Sequence, residues 1–207
     1  VLSLDASVVR WSRPLAERPG TPLLVLLHGV GSDERDLMGL APGLPPGWTL
    51  ASLRAPLRVG PGHGWYPLTV PGSPDPAAVD AGLEAVLAWL DTVADDHDRI
   101  GLLGFSQGGS IALQALRTRP ADFAFAVALS GFVVPITDDR DESLAAVRPP
   151  VFLGHGDADP VIPPAATART SAWAAGHTDV TDRSYPGLTH AVSADELADV
   201  RAFIDAH

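Results

Sequence analysis

The feature that most constrains this chain is an alternation of short, unbroken apolar runs with stretches of helical spacing. Leu23-Leu24-Val25-Leu26-Leu27 is apolar at five consecutive positions, unlike the polar/apolar alternation of a strand with one wet face. Such a run suits a strand covered on both sides, the condition of a parallel sheet enclosed by helices. The same reading gives strands over residues 23–28, 49–53, 100–105, 125–129, 151–153 and 181–185. After Ser73-Pro74-Asp75-Pro76, the apolar residues Val79, Leu83, Val86, Leu87, Leu90 and Val93 recur at three- and four-residue intervals, the mark of one helix face. Further helices are expected over residues 33–40, 107–117, 164–175 and 194–206, and loops over residues 60–67 and 135–142. The expected fold is therefore α/β, a mostly parallel central sheet with helices on both faces. With 207 residues, one domain over 1–207 is the natural division.

Composition narrows the chemistry. The 14 basic residues are all Arg and stand against 25 acids, a formal charge of −11. Nucleic acid binding depends on clustered cations that displace phosphate counterions, so this balance argues against a nucleic acid partner. The longest aliphatic run is far short of the roughly 20 residues of a membrane helix, and no integral membrane segment is expected. The N-terminus, Val1-Leu2-Ser3-Leu4-Asp5, has neither a basic start nor an apolar core of the kind a signal peptide carries, which reads as cytoplasmic. No Cys is present, so any covalent catalysis must use another nucleophile. A homodimer is compatible with the sequence but leaves no signal in it.

The chemistry-bearing motif is Gly104-Phe105-Ser106-Gln107-Gly108-Gly109, a Gly-x-Ser-x-Gly set between a predicted strand and a predicted helix. In that context the turn must be sharp enough to lift the Ser hydroxyl above the sheet, and the glycines remove side chains that would collide where strand and helix cross. Ser106 is the candidate nucleophile. A hydroxyl is a weak nucleophile at neutral pH, so a His must take its proton and a carboxylate must orient that His. In this arrangement both partners follow the Ser in chain order, acid before His. Of His177, His190 and His207, only His190 follows a predicted strand, in Pro186-Gly187-Leu188-Thr189-His190. The acid lies in His155-Gly156-Asp157-Ala158-Asp159-Pro160, where Asp159 is extended by the following Pro and Asp157 suits a turn. Asp159 is the preferred acid, with Asp157 the alternative. An oxyanion requires preorganised donors, for which the backbone N–H of Gln107 and that of Val30, between Gly29 and Gly31, are the candidates. His28 reads as a residue that bonds loop backbone.

Together with Arg54-Ala55-Pro56, Gly64-Trp65-Tyr66-Pro67 and Leu129-Ser130-Gly131, these motifs resemble the phospholipase/carboxylesterase family of small α/β-hydrolases, which includes bacterial carboxylesterases and acyl-protein thioesterases. The resemblance spans the chain from about residue 20 onward. It implies an α/β-hydrolase fold without a large cap domain, and a Ser106, Asp159, His190 triad with Val30 and Gln107 as oxyanion donors, in agreement with the residue-level reading. After His28-Gly29-Val30-Gly31, the thioesterase branch usually has Asp and a further Gly; Ser32-Asp33-Glu34 here resembles the bacterial esterase branch more closely.

The expected activity is hydrolysis of small carboxylic esters with short to medium acyl chains through an acyl-enzyme, without metal or organic cofactor. Trp65, Leu68, Phe132, Val133, Val161 and Ile162 are candidates for the apolar wall of the acyl pocket. A thioesterase, lysophospholipase or peptidase-like hydrolase with the same triad is the alternative within enzymes. From another class, the alternative is a non-catalytic protein of the same fold that binds a small ligand.

Overall fold

The computed structural model describes residues 2–68, 70 and 72–207; Val1, where the N-terminal reading begins, lies outside them. Among the described residues, seven strands form one sheet in the order β1-β3-β2-β6-β7-β8-β9. These are β1 (Arg10–Trp11), β2 (Leu23–Leu27), β3 (Thr49–Leu53), β6 (Ile100–Phe105), β7 (Phe125–Leu129), β8 (Pro150–Gly156) and β9 (Asp179–Tyr185), and a separate hairpin joins β4 (Leu57–Val59) to β5 (Gly62–Gly64). All neighbours in the large sheet run parallel except β1, which pairs antiparallel with β3.

The consecutive apolar residues of the strands serve two cores. Leu23, Val25 and Leu27 pack with the buried faces of α1 (Pro76–Leu90) and α2 (Gln107–Thr118), and with Leu144 of α3 (Arg140–Val147) and Trp173 of α4 (Pro164–His177). Leu24 and Leu26 point the other way, onto Val200, Phe203 and Ile204 of α5 (Ala194–Ala206). Helices thus cover both faces, as the runs predict. The helix predicted after Pro74 begins where local chemistry puts it: Asp75 accepts from the Ala77 N–H at 3.1 Å, and Pro76 occupies the first helical turn.

Three expectations need correction. Residues 33–40 are not an α-helix; a 3-10 segment, Leu37–Gly43, stands there instead, with Pro42 inside it. Asp33 and Asp36 are drawn into local turns, Asp33 accepting from the Arg35 N–H and Asp36 from the Ser32 hydroxyl, which competes with helix formation. The stretch read as a loop over 60–67 contains β5 and its turn at Gly60, which has φ +58°. The charged stretch read as a loop over 135–142 runs into α3 at Arg140.

Strand order fixes where a site can form. From the middle of the sheet the chain moves outward one way from β2 and the other way from β6, so the crevice opens at the carboxyl ends of these two neighbours. Leu27 pairs with Gly104, and the chain leaves both strands side by side, toward Val30 on one and Ser106 on the other.

Candidate active site

Ser106 occupies the turn between β6 and α2 with φ 54° and ψ −116°, a left-handed backbone that a non-glycine residue holds only where its surroundings enforce it. Its N–H donates to Leu129 O at 2.8 Å and its carbonyl accepts from the Ser110 N–H at 3.1 Å, clamping the turn between β7 and the first turn of α2. Two glycines make the crossing possible. A methyl group on Gly104 would collide with the Gly108 carbonyl, and one on Gly108 would collide with the carbonyls of Leu27 and His28.

Loops from two other strands bring side chains to this hydroxyl. His190 follows β9, and its Nε2 lies 3.0 Å from Ser106 Oγ. Its Nδ1 lies 2.7 Å from Asp159 Oδ2, on the loop after β8. The other oxygen, Asp159 Oδ1, accepts from the N–H groups of Val161 (2.7 Å) and Ile162 (3.0 Å). Burial pushes the Asp159 carboxyl up, but the bonds from His190, Ile162 and Val161 outweigh it and hold the group below its ordinary value. An ionised carboxylate is an acceptor only, so His190 Nδ1 is the donor and Nε2 is left to accept from the Ser106 hydroxyl. The imidazole also packs against the Phe105 ring, centroids 4.8 Å apart.

Asp157 plays the part of a turn former: its Oδ1 accepts from the Gly187 N–H at 2.6 Å, and the neighbouring Ala158 N–H donates to Leu188 O. These bonds tie the loop carrying Asp159 to the loop carrying His190. His177 closes α4, bonded to Trp173 O at 2.6 Å, and His207 ends the chain. Neither approaches Ser106.

The segment after β2 passes beside the turn. His28 is fully buried; its Nε2 accepts from the Ala55 N–H at 3.1 Å, so Nδ1 carries the hydrogen and donates to Gly29 O at 2.7 Å. Burial pushes its pKa below the ordinary value, in keeping with a neutral ring that holds loop backbone. Among the described residues, neither the Val30 nor the Gln107 backbone N–H has an acceptor.

A cleft of about 50 Å³ beside Ser106 is lined by Val30, Gln107, Leu68, Phe132, Val161 and Ile162, together with Tyr66, Val70 and Pro74. Two wall candidates lie elsewhere. Trp65 is fully buried, its indole N–H donating to His28 O at 2.8 Å, and Val133 is buried in the core with its N–H bonded to Thr170 Oγ1. Sequence reading missed Tyr66, Val70 and Pro74; the aromatic pair Trp65-Tyr66 was the available signal, and it marked the right turn but the wrong member.

The comparisons with known proteins agree with this architecture. The Phospholipase/Carboxylesterase family model matches residues 80–207. Acyl-protein thioesterase 1 of Debaryomyces hansenii is 32% identical over 154 residues, covering 69% of this chain and 66% of that protein. Acyl-protein thioesterase 1 of Kluyveromyces lactis is 29% identical over 212 residues, covering 90% of this chain and 92% of its own. Among solved structures, esterase PE8 superposes with a TM-score of 0.79 at 28% identity, over 99% of this chain and 98% of that one. The Bacillus cereus carboxylesterase, at 21% identity, shares the fold with a TM-score of 0.82 over 96% of this chain and 93% of its own. With the family model matched over more than half its length and the α/β-hydrolase architecture in place, the chain belongs to the phospholipase/carboxylesterase family of hydrolases.

Proposed function

We propose that this protein is a single-domain serine hydrolase that cleaves small carboxylic esters of short to medium acyl chain, with Ser106 as nucleophile, His190 as base and Asp159 as the group that orients it. The observation that carries the reading is the unbroken series from Ser106 Oγ to His190 Nε2 at 3.0 Å and from His190 Nδ1 to Asp159 Oδ2 at 2.7 Å. In the first step Ser106 Oγ bonds to the ester carbonyl carbon, its proton passes to His190 Nε2, and the carbonyl electrons move onto oxygen. The Val30 and Gln107 N–H groups, free of acceptors among the described residues, bind that oxyanion. The intermediate expels the alcohol, protonated by His190; water then repeats the sequence on the acyl-enzyme and releases the acid.

The acyl preference rests on the cleft. That cleft, about 50 Å³, opens onto the exposed rim of Leu68, Val70 and Val161, which favours a short chain within it and leaves a longer one along the rim. Among the described residues no helix is long and apolar enough to cross a membrane. Thioesters are the second reading, favoured by the acyl-protein thioesterase names of the two relatives. A panel of p-nitrophenyl esters of rising chain length, matched thioesters and lysophospholipids, each run beside Ser106→Ala, separates these possibilities. Turnover confined to the wild type, greatest on short and medium esters, is expected. Undiminished turnover by Ser106→Ala would rule out the serine mechanism, and a maximum at sixteen carbons would overturn the acyl preference.

A further inference from the structure

We infer that the side chain of Gln107 is a positioning residue, which locks the two backbone donors of the oxyanion site into one rigid unit. The inference rests on the proposed roles of Ser106, Val30 and the Gln107 N–H, and assigns a separate task to the Gln107 amide group. That amide is buried and bridges two consecutive residues of a distant loop: Oε1 accepts from the Trp65 N–H at 2.7 Å, and Nε2 donates to Tyr66 O at 2.8 Å. The amide offers an acceptor and a donor on one planar group to match an N–H and a C=O; a carboxylate faces the Tyr66 carbonyl with a second acceptor, and a thioether supplies neither bond.

From Trp65 the connection continues into the other half of the site. The Trp65 indole N–H donates to His28 O at 2.8 Å, and the indole packs on the His28 ring with centroids 5.4 Å apart. His28 is two residues before Val30, and its own imidazole bonds the Gly29 carbonyl. Below this level β2 and β6 are joined by the sheet, whose register ends at Leu27 and Gly104. Beyond that pair, the Gln107 amide, the Trp65 peptide and indole, and the His28 carbonyl form a hydrogen-bonded relay from the residue after the nucleophile to the segment bearing Val30. An oxyanion site depends on donors fixed before charge develops, so loosening this relay weakens the transition state more than the bound substrate.

The test uses Gln107→Met, which keeps the backbone N–H and the side-chain length and removes both amide bonds. On a p-nitrophenyl ester, kcat is expected to fall by about 10- to 100-fold, the scale of a small misplacement of catalytic groups, with KM within about threefold of wild type. Affinity for a trifluoromethyl ketone falls by the same factor: Ser106 Oγ adds to its carbonyl carbon, the proton passes to His190, and the resulting oxyanion occupies the same donors. The matching methyl ketone, bound without addition, loses little. Trp65→Phe, which keeps an aromatic ring but lacks the indole N–H, gives the same signature, and the double variant loses no more than the more impaired single one. Should Gln107→Met fail to fold, Trp65→Phe is read against the same criteria. A wild-type kcat, or a lowered kcat with unchanged trifluoromethyl ketone affinity, overturns the inference. Either result beside an inactive Ser106→Ala leaves the serine mechanism standing; an active Ser106→Ala removes the mechanism itself.

Discussion

Glu196 gives the protein a stability that should fall as pH rises through neutrality. It occupies the third position of α5, after Ser193, whose hydroxyl accepts from the Glu196 N–H at 3.1 Å. In a complete capping box the Glu side chain would reach back to the Ser N–H. Here the carboxyl is instead fully buried, neither oxygen has a partner among the described residues, and it lies so close over β8 that a methyl group on Gly154 would collide with Oε1. Burial pushes its pKa from 4.5 to about 7, and the Ser193 amide, outside hydrogen-bonding geometry, offsets this only in part. Between those values the folded chain holds a proton that the unfolded chain releases, so stability is full below about pH 4.5, declines as pH rises, and has lost about 3 kcal/mol above pH 7. Glu196→Gln removes the titration while keeping the shape. In urea unfolding from pH 4.5 to 8, the variant is therefore expected to gain on the wild type by about 3 kcal/mol across the window. The buried His28 and the partly buried His63, both lowered chiefly by desolvation, make stability rise with pH, but they do so equally in both proteins and cancel in the difference. Parallel curves for the two proteins would refute the argument, because any pH-independent effect of the new amide only offsets them.

Arg117 is almost fully enclosed, paired with Asp141 at 2.6 and 2.7 Å. Arg117→Met leaves Asp141 and the neighbouring Asp138 without their buried cation and is expected to cost about 3–5 kcal/mol in urea unfolding; a loss below about 1 kcal/mol would contradict that role. Gly62 faces the Gly31 carbonyl so closely that a methyl group would collide with it, where the Gly31 N–H donates to His63 O at 2.7 Å. Gly62→Ala should therefore lower kcat by tenfold or more, on the order expected for a misplaced donor, and unchanged kcat in a folded variant would show that the hairpin does not brace the oxyanion segment. Asp159→Asn presents a neutral group to His190 in place of the charge that stabilises its protonated form, and kcat on an ester is expected to fall by about 10³- to 10⁴-fold; a loss under tenfold would shift the acid role elsewhere.

How much of this was legible in sequence depended on the range of the interaction responsible. The strands at Thr49–Leu53, Ile100–Phe105 and Phe125–Leu129 matched their expected limits because burial on both faces writes itself into consecutive residues. Ser106, Asp159 and His190 could be chosen by their positions after strands, since a parallel sheet delivers all those loops to one edge. Residues 33–40 are turned aside by local bonds at Asp33 and Asp36, but α3 and Trp65 answer to partners far along the chain. Asp138 and Asp141 look like a solvated charge run, yet they face the buried Arg117 on α2, and Asp141 also accepts from the Trp173 indole at 3.0 Å. No local pattern could announce α3 from such distant pairs. Trp65 was misassigned for the same reason, its indole being claimed by a carbonyl 37 residues earlier.

That contrast bears on how the site is held. The proposed reacting groups are short-range products of strand ends and glycine turns, whereas the groups that would fix their relative positions meet only in the folded chain. Val30 and Ser106 would emerge as neighbours from any sheet with Leu27 beside Gly104. The N–H groups of Val30 and of Gln107, the residue after Ser106, can serve as the proposed anion site only if the two backbones keep one distance under the charge of the intermediate, and pairing between β2 and β6 has ended by that level. The hairpin bonds at Gly31 and Ser32, the His28 ring and the Gln107 amide brace that gap from different sides. Conservative changes in this bracing should therefore reduce kcat before they reduce stability, the opposite order from that expected of Arg117 or the strand interiors.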